Sequence, residues 1–257
     1  MKNLPFIAAV MLSSVLGAAP ALAQDIVVPG VTATRSGGSN QTFPFNLNNG
    51  VSQRYQQIYA AAQFGSAPVT LNAIKFRQAS DPSGGNPFAS TISSITLNLS
   101  TALTRQGAAS SVFAANVGRD NVTVFNGALT LQSTAPAKRD GSVQPFDIII
   151  PFATPFTYDP TVGDLLLDVF NFSGGLTTQF DFVTGGSNAV SRVVGGQGQV
   201  NAPNAFFVQQ GAGLVTAFQV APLVSAVPEP ASWAMMILGF GVVGAAVRRR
   251  TTRVVFG

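Results

Sequence analysis

Apolar and polar residues alternate with a period of two along most of the middle of the chain. Ile74-Lys75-Phe76-Arg77 and Ile95-Thr96-Leu97-Asn98-Leu99-Ser100 place apolar groups on one face and polar groups on the other, the pattern of a half-buried strand. Val122-Thr123-Val124, Leu129-Thr130-Leu131, Phe146-Asp147-Ile148-Ile149-Ile150, Phe180-Asp181-Phe182 and Phe218-Gln219-Val220 repeat it. Leu165-Leu166-Leu167-Asp168-Val169-Phe170 is apolar on both sides, which predicts a central strand. Turn-forming clusters separate these runs: Asp81-Pro82-Ser83-Gly84-Gly85-Asn86, Gly174-Gly175, Gly185-Gly186 and Gly195-Gly196. Residues 54–64 fit either period, and their aromatics lean the segment to strand. Short strands with such turns and little helical periodicity predict an all-β fold, an antiparallel two-sheet β-sandwich of jelly-roll-like type, with a barrel as the alternative.

The two ends break this pattern. Lys2 precedes an uncharged apolar run, and Ala21-Leu22-Ala23 offers the small residues that a signal peptidase accepts, so residues 1–23 read as a signal peptide with the mature chain starting at Gln24. At the other end, Pro228-Glu229-Pro230 is followed by Trp233-Ala234, a charge-free stretch over residues 231–247, and the cluster Arg248, Arg249, Arg250. Seventeen residues make a helix of about 25 Å, the short end of the spanning range, and the arginines favour the cytoplasmic side. This arrangement resembles the PEP-CTERM sorting signal of exopolysaccharide-producing Gram-negative bacteria, in its PEPxxWA form. The resemblance implies handling by an exosortase, a multispanning membrane protease, acting near Pro228-Glu229-Pro230. Arg54-Tyr55-Gln56-Gln57-Ile58-Tyr59 and residues 156–169 also resemble stretches of β-rich proteins that carry such tails. Three parts follow: a signal peptide at 1–23, a body at 24–226, and a sorting signal at 227–257 with a transmembrane helix at 231–247.

Charge changes its meaning once the ends are set aside. The net +4 comes from Lys2, Arg248, Arg249, Arg250 and Arg253 against Glu229, while residues 24–226 carry nine basic groups and nine Asp. A neutral body without a basic stripe excludes nucleic acid as a partner. Gly239-Phe240-Gly241-Val242-Val243-Gly244 spells a dinucleotide fingerprint but lacks the preceding strand and the later acidic residue, so no cofactor is expected. Small residues in an apolar span serve close helix packing instead.

The chain has no Cys and no His, which removes disulfides, thiolate nucleophiles, Ser-His-Asp triads and the usual zinc sites. Glycoside hydrolysis needs only two carboxyl groups, but nothing in the sequence places two together. Asp159 and Asp164 bracket a turn, and Asp147, Asp168 and Asp181 alternate with apolar neighbours as if facing solvent. Asp81 and Asn86 are weak calcium candidates within one Gly-rich loop, and an Asx turn explains both without a metal. Tyr55, Tyr59 and Tyr158 are candidates for stacking on a sugar, with core packing as the default.

No catalytic residue is therefore expected. The sequence predicts an exported, non-enzymatic surface or matrix protein associated with exopolysaccharide or biofilm, with a carbohydrate-binding module as the alternative. Its expected partners are signal peptidase, the exosortase-type protease, the inner membrane before processing, and exopolysaccharide.

Overall fold

The structure, a computed structural model, describes residues 24–80, 85–138, 142–222, 235–241, 244 and 248. The body, Leu22–Leu223, is one compact unit, and the terminal segments lie outside it. In the tail, residues 235–241, 244 and 248 are helical. Among the described residues no helix is long and apolar enough to cross a membrane. The predicted span at 231–247 falls partly outside those residues, as do the predicted signal peptide and the Pro228-Glu229-Pro230 segment.

Thirteen strands are assigned among the described residues, and every pairing between them is antiparallel. They are β1 (Gln24–Val28), β2 (Gly38–Gln41), β3 (Gln53–Tyr59), β4 (Val69–Phe76), β5 (Phe88–Thr101), β6 (Val122–Ser133), β7 (Ile148–Tyr158), β8 (Leu165–Asn171), β9 (Phe180–Val183), β10 (Val190–Val194), β11 (Phe207–Gln210), β12 (Gly213–Leu214) and β13 (Thr216–Pro222). A six-stranded sheet runs β11-β10-β3-β8-β5-β6, a four-stranded sheet β1-β13-β4-β7, and a three-stranded sheet β12-β9-β2. Two sheets were expected; the small third one joins the alternating Phe180–Val183 to two short segments, β2 and β12, that carry little alternation of their own.

The strands sit where their side chains allow. Leu165–Asn171 is flanked on both sides in the six-stranded sheet, and its apolar run is buried almost throughout. Pro151 and Pro155 fall in β7, an edge strand, where a missing N–H leaves no ladder bond unmade. Residues 54–64 resolve as strand β3 followed by a 3-10 turn at Ala61–Gln63.

One apolar cluster draws residues from all three sheets. Two aromatic nodes organise it. Tyr59 of β3 meets Phe218 of β13 edge-on with ring centroids 5.0 Å apart, joining the six- and four-stranded sheets, and Phe64 packs on Phe218 and Tyr158 at 5.3 and 5.0 Å. Phe45, Phe76 and Phe180 form the second node, at 5.1 to 5.9 Å, joining β4 and β9 through the segment before β3. Such pairs contribute about 0.5–1.5 kcal/mol each beyond their buried area.

All three tyrosines of the chain are buried or nearly so in this core. Burial pushes the phenol of each above its ordinary value of 10.0; for Tyr55 the nearby Arg192 charge opposes the shift, and for Tyr158 the charges of Asp164 and Asp159 add to it. A raised folded-state pKa stabilises the fold fully below the unfolded value and loses that contribution as pH rises through the folded one. The body is therefore expected to hold its stability from neutral pH to about 10 and to unfold above it, with tyrosinate absorbance appearing together with loss of the β circular-dichroism signal. Tyrosine ionisation at pH 10 in a body that stays folded would contradict this burial.

Candidate functional site

The predicted site residues divide by where they fall. Pro228, Glu229, Pro230, Trp233, Ala234, Arg249, Arg250, Ala21, Ala23 and Asp81 lie outside the described residues. Arg248 is helical, and Gln24 opens β1. Asn86 sits in a loop, where its carbonyl oxygen accepts from Gln78 Nε2 at 2.7 Å. Among the described residues no group of three or more acidic side chains is placed to hold a metal ion.

Two strand aspartates are not where alternation put them. Asp168 and Asp181 were expected to face solvent, yet both are buried in ion pairs. Asp168 takes a two-point contact from Arg54, Nε to Oδ1 at 3.0 Å and Nη2 to Oδ2 at 2.6 Å. Asp181 pairs with fully buried Arg77, whose Nη2 also donates to the carbonyls of Thr32 and Arg35. The Ser36 hydroxyl and the Gly37 N–H complete the acceptance at Asp181 Oδ1, both at 2.9 Å. The pair thus pins residues 30–37 onto β4 and β9. A Cβ at position 37 would stand 2.5 Å from the Phe182 carbonyl oxygen, so only glycine allows that approach.

The remaining described aspartates are also engaged locally. Asp164 accepts from the backbone N–H groups of Ala61 at 2.8 Å and Gln106 at 2.6 Å, tying two loops together. Asp159 accepts from the Thr161 hydroxyl and N–H within its own turn, and these bonds hold its carboxyl below the usual range. Asp120 accepts from Thr101, Asp147 from Ser133, and Asp25 pairs with Lys75.

The outer face of the six-stranded sheet carries rows of polar and aromatic side chains, buried at Gln56, Asp168 and Asn98 and exposed at Thr123, Asn126 and Phe172. Tyr55, Leu97 and Val169 point to the core, so their strand neighbours point the other way. Register sets Arg54, Phe170, Thr96 and Asn126 in one row across β3, β8, β5 and β6, and Gln56, Asp168, Asn98 and Thr123 in the next. Thr96 donates to Asn126 at 2.8 Å and Thr123 to Asn98 at 2.7 Å. Phe170 stacks with Phe172 at 6.3 Å and 14°, and Phe172 is 42% exposed. The Arg54 guanidinium lies between the Phe170 and Phe113 rings, 4.2 and 4.6 Å from their centroids. Tyr55, Tyr59 and Tyr158, the stacking candidates named from sequence, are buried, whereas the i, i+2 pair Phe170 and Phe172 is the local signal for this face.

Arg192 is the second buried cation. Its guanidinium lies over Phe182 at 4.3 Å, donates twice to Gln209 Oε1, and leaves Nη1 without a partner. Burial lowers its pKa, with Tyr55 acting the other way. Of the surface clefts, one of about 440 Å³ is lined by Pro29, Gln63, Gly185, Gly186 and Asn188, and one of about 290 Å³ by Phe43, Gln53, Phe206 and Phe207. No carboxylate lines either, so neither holds the paired acids that glycoside cleavage requires.

Comparison with family models places the tail. Residues 226–250 match the PEP-CTERM protein-sorting motif. The chain carries a PEP-CTERM tail. That motif, the C-terminal tail of exosortase substrates, implies an exported protein processed at the membrane by exosortase, a membrane protease. The match ends at Arg250, so the apolar stretch and the arginine cluster belong to the motif together with Pro228-Glu229-Pro230. No curated protein and no solved structure matches the chain, so the comparisons bear on the PEP-CTERM tail and not on the body.

Proposed function

We propose that this is an exported surface or extracellular-matrix protein whose PEP-CTERM tail directs sorting and whose body is non-enzymatic, associated with exopolysaccharide or biofilm. The tail match carries this reading. In it, residues 1–23 are removed as a signal peptide, the precursor is held in the inner membrane through residues 231–247 with the body on the periplasmic side, and exosortase then releases it to the surface. The body is read as a sandwich of the four- and six-stranded sheets, supported by the direct Tyr59–Phe218 contact between them. The absence of His and Cys from the chain and the local engagement of every described Asp support a non-catalytic role. Mass spectrometry of the protein recovered from its native host tests the processing: the expected species begins at Gln24 and lacks Arg248, Arg249 and Arg250. A mature protein that keeps those arginines would sink the reading.

A second reading, a carbohydrate-binding body, is favoured by the Phe170/Phe172 platform. A pyranose ring presents C–H groups on one face and hydroxyls around its edge, which suits two parallel phenyl rings flanked by Thr96, Asn126 and Arg54. Under this reading the purified body, residues 24–226, binds glycans saturably on an array, and Phe172→Ala weakens that binding at least tenfold while leaving the melting temperature within a few degrees. Absence of any saturable binding favours the purely structural role.

A further inference from the structure

We propose that exosortase acts on a body that is already folded, and that leader removal precedes closure of the sheet, because β1, which opens at the residue expected after leader cleavage, pairs with β13, the last described strand before the tail. The inference rests on the reading that the leader and the tail are both removed. Gln24, the first residue expected after leader cleavage, pairs with Val220, and β13 ends two residues later at Pro222. The partners are about 200 residues apart in sequence, yet they are direct neighbours in register.

The two points differ in the free chain around them. On the N-terminal side there is none, since Gln24, the first residue of the mature chain in that reading, is also the first paired one among the described residues. A protease that needs an extended segment on both sides of its scissile bond loses access to the Ala23–Gln24 bond once β1 is laid on β13. On the C-terminal side, residues 223–227 separate β13 from Pro228 and reach at most about 18 Å when extended. That spacer leaves the tail open to an enzyme while the sheet is closed.

Sheet order supplies the timing. β13 lies between β1 and β4, and among the described residues β1 pairs with no other strand. The N-terminal strand therefore stays unpaired until the last strand of the body has crossed the membrane. Residues 216–222 directly precede the tail, so closure becomes possible as soon as they are out and needs no tail cleavage. The expected sequence is leader cleavage, closure of β1 on β13, then tail cleavage.

A cross-strand disulfide reads this order. Asp25 and Gln219 face each other in register, and the chain contains no other cysteine to compete. Asp25→Cys with Gln219→Cys gives up only the partly exposed Lys75 contact. In a pulse-chase of the full chain in its host, the expected first cross-linked species lacks the leader and still carries the tail. Cross-linking only after tail loss overturns the proposal, as does a cross-linked species that keeps its leader and loses it at the normal rate. Limited proteolysis of the wild-type, tail-bearing intermediate is the check that needs no disulfide: its body is expected to resist digestion as the tail-free protein does, and rapid digestion refutes the claim. If the tail is never removed, the sorting reading fails; if it is removed from chains whose β1 and β13 are unpaired, only this inference fails.

Discussion

Asp181→Ala is expected to destabilise the body by about 3–5 kcal/mol, the range found when one partner of a buried ion pair is removed and the other is left behind. Arg77 has no exposed surface to retreat to, and its guanidinium is held by two backbone carbonyls besides the carboxylate. Loss of Asp181 strands that charge and also leaves the Gly37 N–H and the Ser36 hydroxyl without their acceptor. For a domain of this size the change amounts to a fall of roughly 6–20 °C in melting temperature. Thermal and urea melts of the purified body measure it. Replacing both partners with apolar residues, Arg77→Met with Asp181→Leu, should cost less than Asp181→Ala alone, because no buried charge is then left unpaired. A single-variant loss below about 1 kcal/mol would mean that water reaches this site and that residues 30–37 are not held by it.

Deleting residues 227–257 is expected to abolish exosortase processing while leaving the stability of the body unchanged to within about 0.5 kcal/mol. The compact unit ends at Leu223 and its last described strand at Pro222, so among the described residues the deletion removes no strand and no member of the apolar cluster. It removes nearly all of the matched motif, including Pro228-Glu229-Pro230 and the arginine cluster. Fractionation of host cells and mass spectrometry read the sorting outcome, and a melt of the purified truncated body reads the stability. Surface delivery equal to that of the full chain would show that the tail is not the sorting element. A large drop in melting temperature would show that the tail contributes to the fold.

Several elements could be read along the chain because their pattern is local. Leu165–Asn171 announces a central strand by being apolar on both faces, and it lies between β3 and β5. The paired glycines at 174–175, 185–186 and 195–196 fall between β8, β9, β10 and β11, where the chain reverses. Residues 122–133 look like two short strands broken at Asn126-Gly127. They form one, because β5 bulges opposite them: its register shifts between Ile92 and Ile95 to meet Gly127, whose φ of 131° is open to glycine and rarely adopted by other residues.

Other features have no local trace. β1, β2 and β12 are short and carry little alternation, so their pairing comes from neighbours that folding supplies. Asp168 and Asp181 read as solvent-facing because a polar residue between apolar ones normally is. Arg54 in β3 and Arg77, directly after β4, reach them from more than a hundred positions earlier, and the charges meet only when the sheets assemble.

The sequence by itself determined how this protein is handled, because a sorting signal is a short, contiguous stretch whose chemistry is written in order: Pro228-Glu229-Pro230, an apolar run, then Arg248 to Arg250. It also determined that the body is built of strands and lacks imidazole and thiol chemistry, since period-two alternation and residue absence are properties of the chain. Tertiary structure alone decided which polar groups are buried, that Phe170 and Phe172 share an outer face with Arg54, and that Gln24 lies beside Val220. Those facts depend on strand order and register across long separations, which the joint burial of whole strand faces and the turn geometries set together, so no single local stretch displays them.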